Sequence, residues 1–452
     1  MNTCDLCEHI YYGHLAHILC ECEVSSSLRH SYFDQIDTAI GNDVKHQLES
    51  MDSIDMSLRM LGAPIEPILG GEKIVGSVWD WNPGNLAARA SALLTELTGL
   101  LHNLSLLRLG STMGSECYRF AISNVDNLVM GYKAMIWVVA VTAATLGYLN
   151  IPPPPLSATL KNWRKKGSVL KYKDFDIFYI VEDGFKDDGS TLLCIHGFPT
   201  SSHDYSKVLN GLKQHFEQIV LVDMLGFGFS DKPMNYDYLI KEQADIHESL
   251  LVSLNLSHAH VLSHDYGDTV ALELLHRFNH NEAKFHIDSL SMLNGGVFPE
   301  TNHPMVSQQL LLMPVIGPTL AHLSFYAAFK RSLARTFGPE SQPTEEEMKD
   351  FYALVRNKNG NIANARLIHY ITQRGENKDR WVGALQKTQV PVQMIYGPAD
   401  PVNPPAFVDY YKKVVPNPRI HVLGSRVGHY PQWEDPDGVL IAYQSFLQFV
   451  SK

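Results

Sequence analysis

The spacing of apolar residues changes character along the chain, and each change marks a different kind of element. Residues 24–129 hold helix-like runs. The clearest is Ala87–Leu106, where Leu and Ala recur at the three- and four-residue intervals of one buried helical face. From Ala134 to Leu149 that periodicity gives way to an uncharged, mostly apolar stretch, AMIWVVAVTAATLGYL, followed by the prolines at 152–155. Beyond them lie short strand-like runs at Phe175–Val181, Leu192–Ile195, Ile219–Val222, His260–Ser263, Ser289–Leu293 and Val392–Tyr396, most of them separated by helical stretches. This alternation predicts an α/β protein with a mostly parallel sheet covered on both faces. The connection from Leu293 to Val392 is far too long for a plain loop and is rich in helix-like sequence, so it predicts an inserted helical lid.

The pattern divides the chain into five parts. Residues 1–129 are an unassigned segment, partly helical or disordered. Residues 130–151 are a membrane-anchor helix, and 152–170 a proline-rich and basic linker. Residues 171–296 and 386–452 form the α/β core, with the lid at 297–385. Asn150 and Ile151 bring the anchor stretch close to the ~20 residues a span needs. Trp137 and Tyr148 sit near its ends. Lys161, Arg164, Lys165 and Lys166 follow it, a bias that places the C-terminal part on the cytosolic side. The competing reading is a buried core helix. A product starting at Met130 would carry the anchor at its N-terminus, but Met135 stands where a myristoylation signal needs Ser or Thr.

Composition narrows the function classes. Of 452 residues, 45% are hydrophobic and 19% charged, which argues against a wholly disordered chain. The formal net charge of −11 makes nucleic acid an unsuitable partner. Five of the six cysteines lie at or before residue 117, so the α/β part does not rely on disulfides. Cys4, Cys7, Cys20 and Cys22, with His14 and His17 between them, read either as zinc ligands or as free thiols; the single-residue gap of Cys20-Glu21-Cys22 is tight for zinc. No cofactor is implied, and no metal for the α/β part.

The chemistry concentrates in three short motifs. The run His260–Ser263 leads directly into His264-Asp265-Tyr266-Gly267, where a helix begins. Ser263 and Gly267 flank Asp265 with the small residues that a sharp strand-to-helix elbow needs, and the nucleophile position holds Asp instead of Ser. Read alone, the segment fits equally well an ordinary loop with an N-capping Asp. The apolar run Leu192–Ile195 ends in His196-Gly197-Phe198-Pro199, a loop placed to offer the Phe198 N–H to an oxyanion beside that of Tyr266. Asp400 follows the run Val392–Tyr396, and His429 lies near the C-terminus, giving the order nucleophile, acid, histidine. The pair Gly226-x-Gly228 lacks the third glycine of a dinucleotide fingerprint and reads as loop.

His196-Gly-Phe-Pro199, Ser263-His-Asp-Tyr-Gly267 and Gly428-His429 together resemble the epoxide hydrolase branch of the α/β-hydrolases. The likeness runs from about residue 130 to the end, through stretches such as DMLGFGFSDKP (Asp223–Pro233) and GHYPQWEDP (Gly428–Pro436), and leaves out 1–129. It implies an Asp265 carboxylate that displaces at a saturated carbon to give an alkyl-enzyme ester. His429, held by Asp400, would then activate water against that ester, with the Phe198 and Tyr266 amides holding the oxyanion. It also implies lid tyrosines as acids for the departing alkoxide, for which Tyr326, Tyr352 and Tyr370 are candidates and Tyr370 is best placed. His264 would be structural, and Trp433 and Glu434 would serve packing and capping. The expected partners are a small lipophilic substrate and, through the anchor, a bilayer, with the endoplasmic reticulum membrane as location. Rival functions are a lipid ester or thioester hydrolase and a non-catalytic scaffold that keeps the fold.

Overall fold

The computed structural model of the protein describes residues 130, 131, 133–142, 147 and 152–452, all of them in the unit Ala87–Lys452. The readings made for 1–129, including Cys4, Cys7, Cys20 and Cys22 as zinc ligands, lie outside the described residues.

A short helix, α1 (Ala158–Lys166), leads into β1 (Ser168–Tyr172), β2 (Phe175–Asp183), β3 (Thr191–Ile195) and β4 (Gln218–Val222). Helix α2 (Ile240–Ser253), β5 (His258–His264), α3 (Tyr266–Asn279) and β6 (His286–Leu293) follow. The lid then carries α4 (Val306–Leu311), α5 (Ile316–His322), α6 (Tyr326–Ala334), α7 (Glu345–Arg356), α8 (Gly360–Leu367), α9 (Tyr370–Glu376) and α10 (Lys378–Lys387). The chain closes with β7 (Val392–Tyr396), α11 (Ala406–Val414), β8 (Ile420–Val422), α12 (Pro431–Glu434) and α13 (Pro436–Val450). The strands form one sheet in the order β1-β2-β4-β3-β5-β6-β7-β8. β2 pairs antiparallel with β1 and β4, and the pairs from β4 through β8 are parallel.

Strand β3 shows why the central runs are continuously apolar. Leu193 and Ile195 face one core layer with Val220, Val222 and Val261. Leu192 and Cys194 face the other with Ile219, Leu221 and Leu262. Side chains alternate across the sheet, and because both faces are covered both sets are mostly apolar, with Thr191, Ser263, Ser289 and Ser291 as buried polar exceptions in β3, β5 and β6.

Three features depart from the sequence reading. Residues 152–170, expected as a linker, carry structure: Ser157 Oγ caps α1 by accepting from the Leu160 N–H, and α1 buries Leu160 and Trp163 against the core. Strands β1 and β8 were not anticipated; both lie at sheet edges, largely exposed or very short, so they lack the apolar run that marks a covered strand. Among the described residues no helix is long and apolar enough to cross a membrane. Residues 133–142 of the expected anchor are helical, while 132, 143–146 and 148–151 lie outside the described residues.

Candidate active site

The elbow forms as the small residues around it demand. Strand β5 ends at His264, and Asp265 turns the chain into α3 with φ 48° and ψ −105°, a conformation that costs a non-glycine residue about 1–3 kcal/mol. Surrounding contacts hold it there. The Asp265 N–H donates to the Leu293 carbonyl (3.2 Å), and its own carbonyl accepts from the Asp268 N–H (3.1 Å). Gly267 lets the helix approach β3 closely: a Cβ there would stand 2.4 Å from the Ile195 carbonyl oxygen and 2.6 Å from that of His196.

Strained in this way, Asp265 points its carboxylate at the other expected groups. Oδ2 accepts from the Phe198 N–H at 3.1 Å, and Oδ1 stands 3.8 Å from His429 Nε2. Tyr266 is the first residue of α3, so its N–H is one of the amides a helix leaves without an internal acceptor. On the far side of the imidazole, His429 Nδ1 bonds Asp400 Oδ2 at 2.8 Å. Asp400 is fixed in turn by Asn294 Nδ2 (3.0 Å), Asn403 Nδ2 (3.1 Å) and the Val402 N–H (2.7 Å). Asp265 and His429 are 2% and 3% exposed, so their charges act on each other with little solvent between them.

The electrostatics follow from that burial. Burial raises the Asp265 carboxyl, but His429 and then Arg374 outweigh it and hold the group below the usual carboxylate range. Burial lowers His429, but Asp400 and Asp265 outweigh it and raise the imidazole to about 10. The resting pair is therefore carboxylate and imidazolium. Asp268 differs: burial, with Asp265 adding to it, pushes its carboxyl up to about 8 although Ser263 Oγ donates to it.

The lid tyrosines separate. Tyr370, the first residue of α9, is fully buried with its ring against those of Phe198 (5.9 Å between centroids) and Tyr266 (4.9 Å). Burial, with Asp265 adding to it, keeps its hydroxyl protonated well past the ordinary tyrosine range. Tyr326 does not join the set: its hydroxyl donates to Glu345 Oε1 (2.8 Å) and its ring packs on Tyr352. The Tyr352 hydroxyl is likewise spent on the Ser324 carbonyl (3.1 Å). His264 serves structure: its Nε2 bonds the His429 carbonyl at 2.8 Å, and burial lowers the imidazole to about 3. Trp433 packs against Phe351 and His203. Glu434 accepts from the Gly428 and Tyr430 N–H groups beside His429 and from the Gly338 N–H in the lid, so it braces the histidine loop. The two glycines read as loop behave so: Gly228 has φ 48°, and a Cβ there would collide with Asp223, which caps that loop through the Phe229 and Ser202 amides.

One residue of the site went unnoticed in the sequence. Arg374, on α9 and 4% exposed, donates from Nε to Thr269 Oγ1 (2.7 Å) and from Nη2 to the Asp265 carbonyl (2.9 Å). Nη2 also stands 3.5 Å from Asp265 Oδ1, and the guanidinium lies over the Tyr370 ring at 4.5 Å. No local signal marks it among 37 lysines and arginines.

A carboxylate on an elbow after a central parallel strand, backbone amides beside it and a histidine backed by a second carboxylate define a class. The chain belongs to the α/β hydrolase fold family, whose model matches residues 190–436. Within it, the chain is 45% identical over 305 residues to the mesoderm-specific transcript protein of Mus musculus, an alignment covering 66% of this chain and 91% of that protein. It is 31% identical over 291 residues to the putative hydrolase LipZ of Mycobacterium tuberculosis, covering 64% of this chain and 99% of LipZ. Among solved structures, the haloalkane dehalogenase DbeA from Bradyrhizobium elkani superposes with a TM-score of 0.54 at 19% identity, over 63% of this chain and 98% of that one, a likeness of fold.

Proposed function

We propose that the chain is a hydrolase of the epoxide hydrolase type in which Asp265 forms an alkyl-enzyme ester. The observation that carries this reading is the elbow carboxylate itself, ionised, held by the Phe198 amide and 3.8 Å from His429. An Asp265 oxygen bonds to the ring carbon, the C–O bond breaks, and the alkoxide takes the Tyr370 proton. Esterification removes one of the two carboxylates that raise His429, so the imidazole becomes able to lose its proton and then to take one from water. The proton that His429 loses restores Tyr370. The water attacks the Asp265 ester carbonyl, and the Phe198 and Tyr266 amides hold the resulting oxyanion. Its collapse breaks the bond to the substrate oxygen, which leaves as the diol's hydroxyl with the proton that His429 took from water. The test uses two variants. Asp265→Ala should lower epoxide turnover by about 10³-fold or more, while His429→Gln should accumulate an ester visible as a mass shift of the intact protein. Turnover by His429→Gln at the parent rate would end the proposal.

The rival readings have less behind them. A carboxylate attacking an acyl carbon gives an anhydride, and the Ser263 hydroxyl is committed to Asp268 at 2.6 Å, which leaves an ester or thioester hydrolase without a nucleophile here. A pure scaffold has no use for a carboxylate and an imidazolium assembled without solvent.

The reading extends to a lipophilic substrate and to attachment at the endoplasmic reticulum membrane through residues 130–151. Supporting it are the apolar side chains that the described helical residues 133–142 leave exposed, Trp137 at 71% among them. Asn255, in the sequon Asn255-Leu-Ser257, is exposed. A glycosidase-sensitive mobility shift would place the hydrolase on the luminal side, against the cytosolic side that the basic residues favour.

A further inference from the structure

Arg374 has more hydrogen-bonding capacity than the nucleophile uses. Nε is spent on Thr269 and Nη2 on Asp265. Nη1 is buried and has no hydrogen-bond partner among the described residues. A desolvated N–H without an acceptor is unfavourable, and more so on a charged group, so any acceptor that reaches Nη1 binds with that penalty relieved.

A second observation indicates where such an acceptor would sit. A Cβ on Gly296, in the loop after β6, would stand 2.3 Å from Arg374 Nη1 and 2.4 Å from Asn302 Nδ2. Gly296 lies outside the left-handed region, so the backbone conformation does not require a glycine there. A side chain there would collide with both, so the two donors pack next to each other against the glycine. Asn302 Nδ2 spends one N–H on Asn403 Oδ1 (3.0 Å), and a primary amide has a second to offer.

We propose that Arg374 and Asn302, across Gly296, form an anion subsite of the active centre that takes a substrate carboxylate set one or two bonds from the carbon Asp265 attacks. The proximity follows from the guanidinium: Nη1 shares its carbon with Nη2, which is 3.5 Å from Asp265 Oδ1. Two neighbouring donors suit the two oxygens of a carboxylate. The inference rests on Asp265 as nucleophile and makes the substrate more specific: an electrophilic carbon beside an anionic head, with a lipophilic remainder. With an α,β-epoxy carboxylate, an Asp265 oxygen bonds to the α or β carbon, the ring C–O bond breaks, and the alkoxide takes its proton from Tyr370.

The test compares an α,β-epoxy carboxylate with the neutral terminal epoxide of the same chain length. Both react with the full-length His429→Gln protein, and the ester is followed by intact mass. The carboxylate should form the ester about tenfold faster or more, the worth of one charge-assisted hydrogen bond. Adding Gly296→Ala should bring the ratio close to one. A measurement independent of the chemistry is calorimetric binding of an unreactive straight-chain carboxylate against the alcohol of equal length. The carboxylate should bind tighter by a similar factor, with the preference lost in Gly296→Ala and in Asn302→Leu, and circular dichroism should show that both variants fold. Equal ester formation from both epoxides, or a preference that survives Gly296→Ala, overturns the subsite and leaves the nucleophile standing. No ester from either epoxide, with the calorimetric preference intact, overturns the Asp265 reading and supports the subsite. Loss of both effects in the His429→Gln parent overturns both.

Discussion

His429 lies between two carboxylates, and in the proposed reaction its proton inventory changes as Asp265 is esterified. In the free protein, Asp400 and Asp265 outweigh burial and raise it to about 10; with Asp265 esterified, only Asp400 remains. Breakdown of the ester should therefore rise with pH through a value below about 10. Ester formation, which needs ionised Asp265 and protonated Tyr370, should stay flat around neutrality. Rapid-quench measurement of the two steps checks this, and identical pH profiles would refute it. Stability carries its own sign. The folded-state pKa of His429 lies above the ordinary 6.5, so its contribution is complete below pH 6.5 and is lost as pH rises towards about 10. Asp268 is held protonated in the folded state up to about 8, against an ordinary value of 3.8. The unfolded chain ionises it first, and stability falls as pH rises between those values. Asp268→Asn mimics the protonated form and should flatten that decline, seen as urea midpoints at pH 4.5 and 8 that lie closer together than in the parent. An unchanged spacing would mean that Asp268 ionises normally.

At the scale of elements, the lid is tied to the core by a carboxylate on α3. Glu273, fully buried, accepts from Arg277 Nε (2.9 Å) on its own helix, and from Arg380 Nε (2.6 Å), Arg380 Nη2 (2.8 Å) and Trp381 Nε1 (2.9 Å) on α10. Its removal leaves a partly buried cation and an indole N–H without an acceptor. Glu273→Ala should thus cost about 3 kcal/mol in chemical denaturation; a loss of only about 0.5 kcal/mol, the scale of a surface pair, would show that packing of Trp381 alone seats α10. The same scale explains what pattern reading could and could not find. Covered strands such as β3 are mostly apolar and are visible in sequence. Edge strands β1 and β8 have no such requirement, and α1 is held by only two buried residues, Leu160 and Trp163.

For the whole molecule, the site is closed. With Asp265 and His429 nearly inaccessible, a substrate enters only if lid elements around Tyr370 move, so entry or product release is a natural place for the slow step. The α/β core and lid are built from residues 152–452, each sheet face carrying its own core. A chain starting at residue 152 should fold, retain turnover and leave the membrane fraction; membrane sedimentation unchanged from the full chain would place the attachment within 152–452 instead. Exposed lid residues Val306, Val315, Ile316 and Phe325 are where such a second attachment would be sought.

Sequence by itself determined the fold class and set Asp265, Asp400 and His429 in order along the chain, because alternating strand-like and helical runs are local patterns; the segment at Asp265, which read alone fits an N-cap equally well, became legible as an elbow only beside the other two motifs. The tertiary structure alone showed which lid tyrosine packs beside the elbow: the Tyr370 ring lies against Phe198 and Tyr266, while the Tyr326 hydroxyl donates to Glu345. It alone brought Arg374 to a nucleophile 109 residues away, because a side chain recruited across that separation leaves no periodicity or spacing in the chain that supplies it.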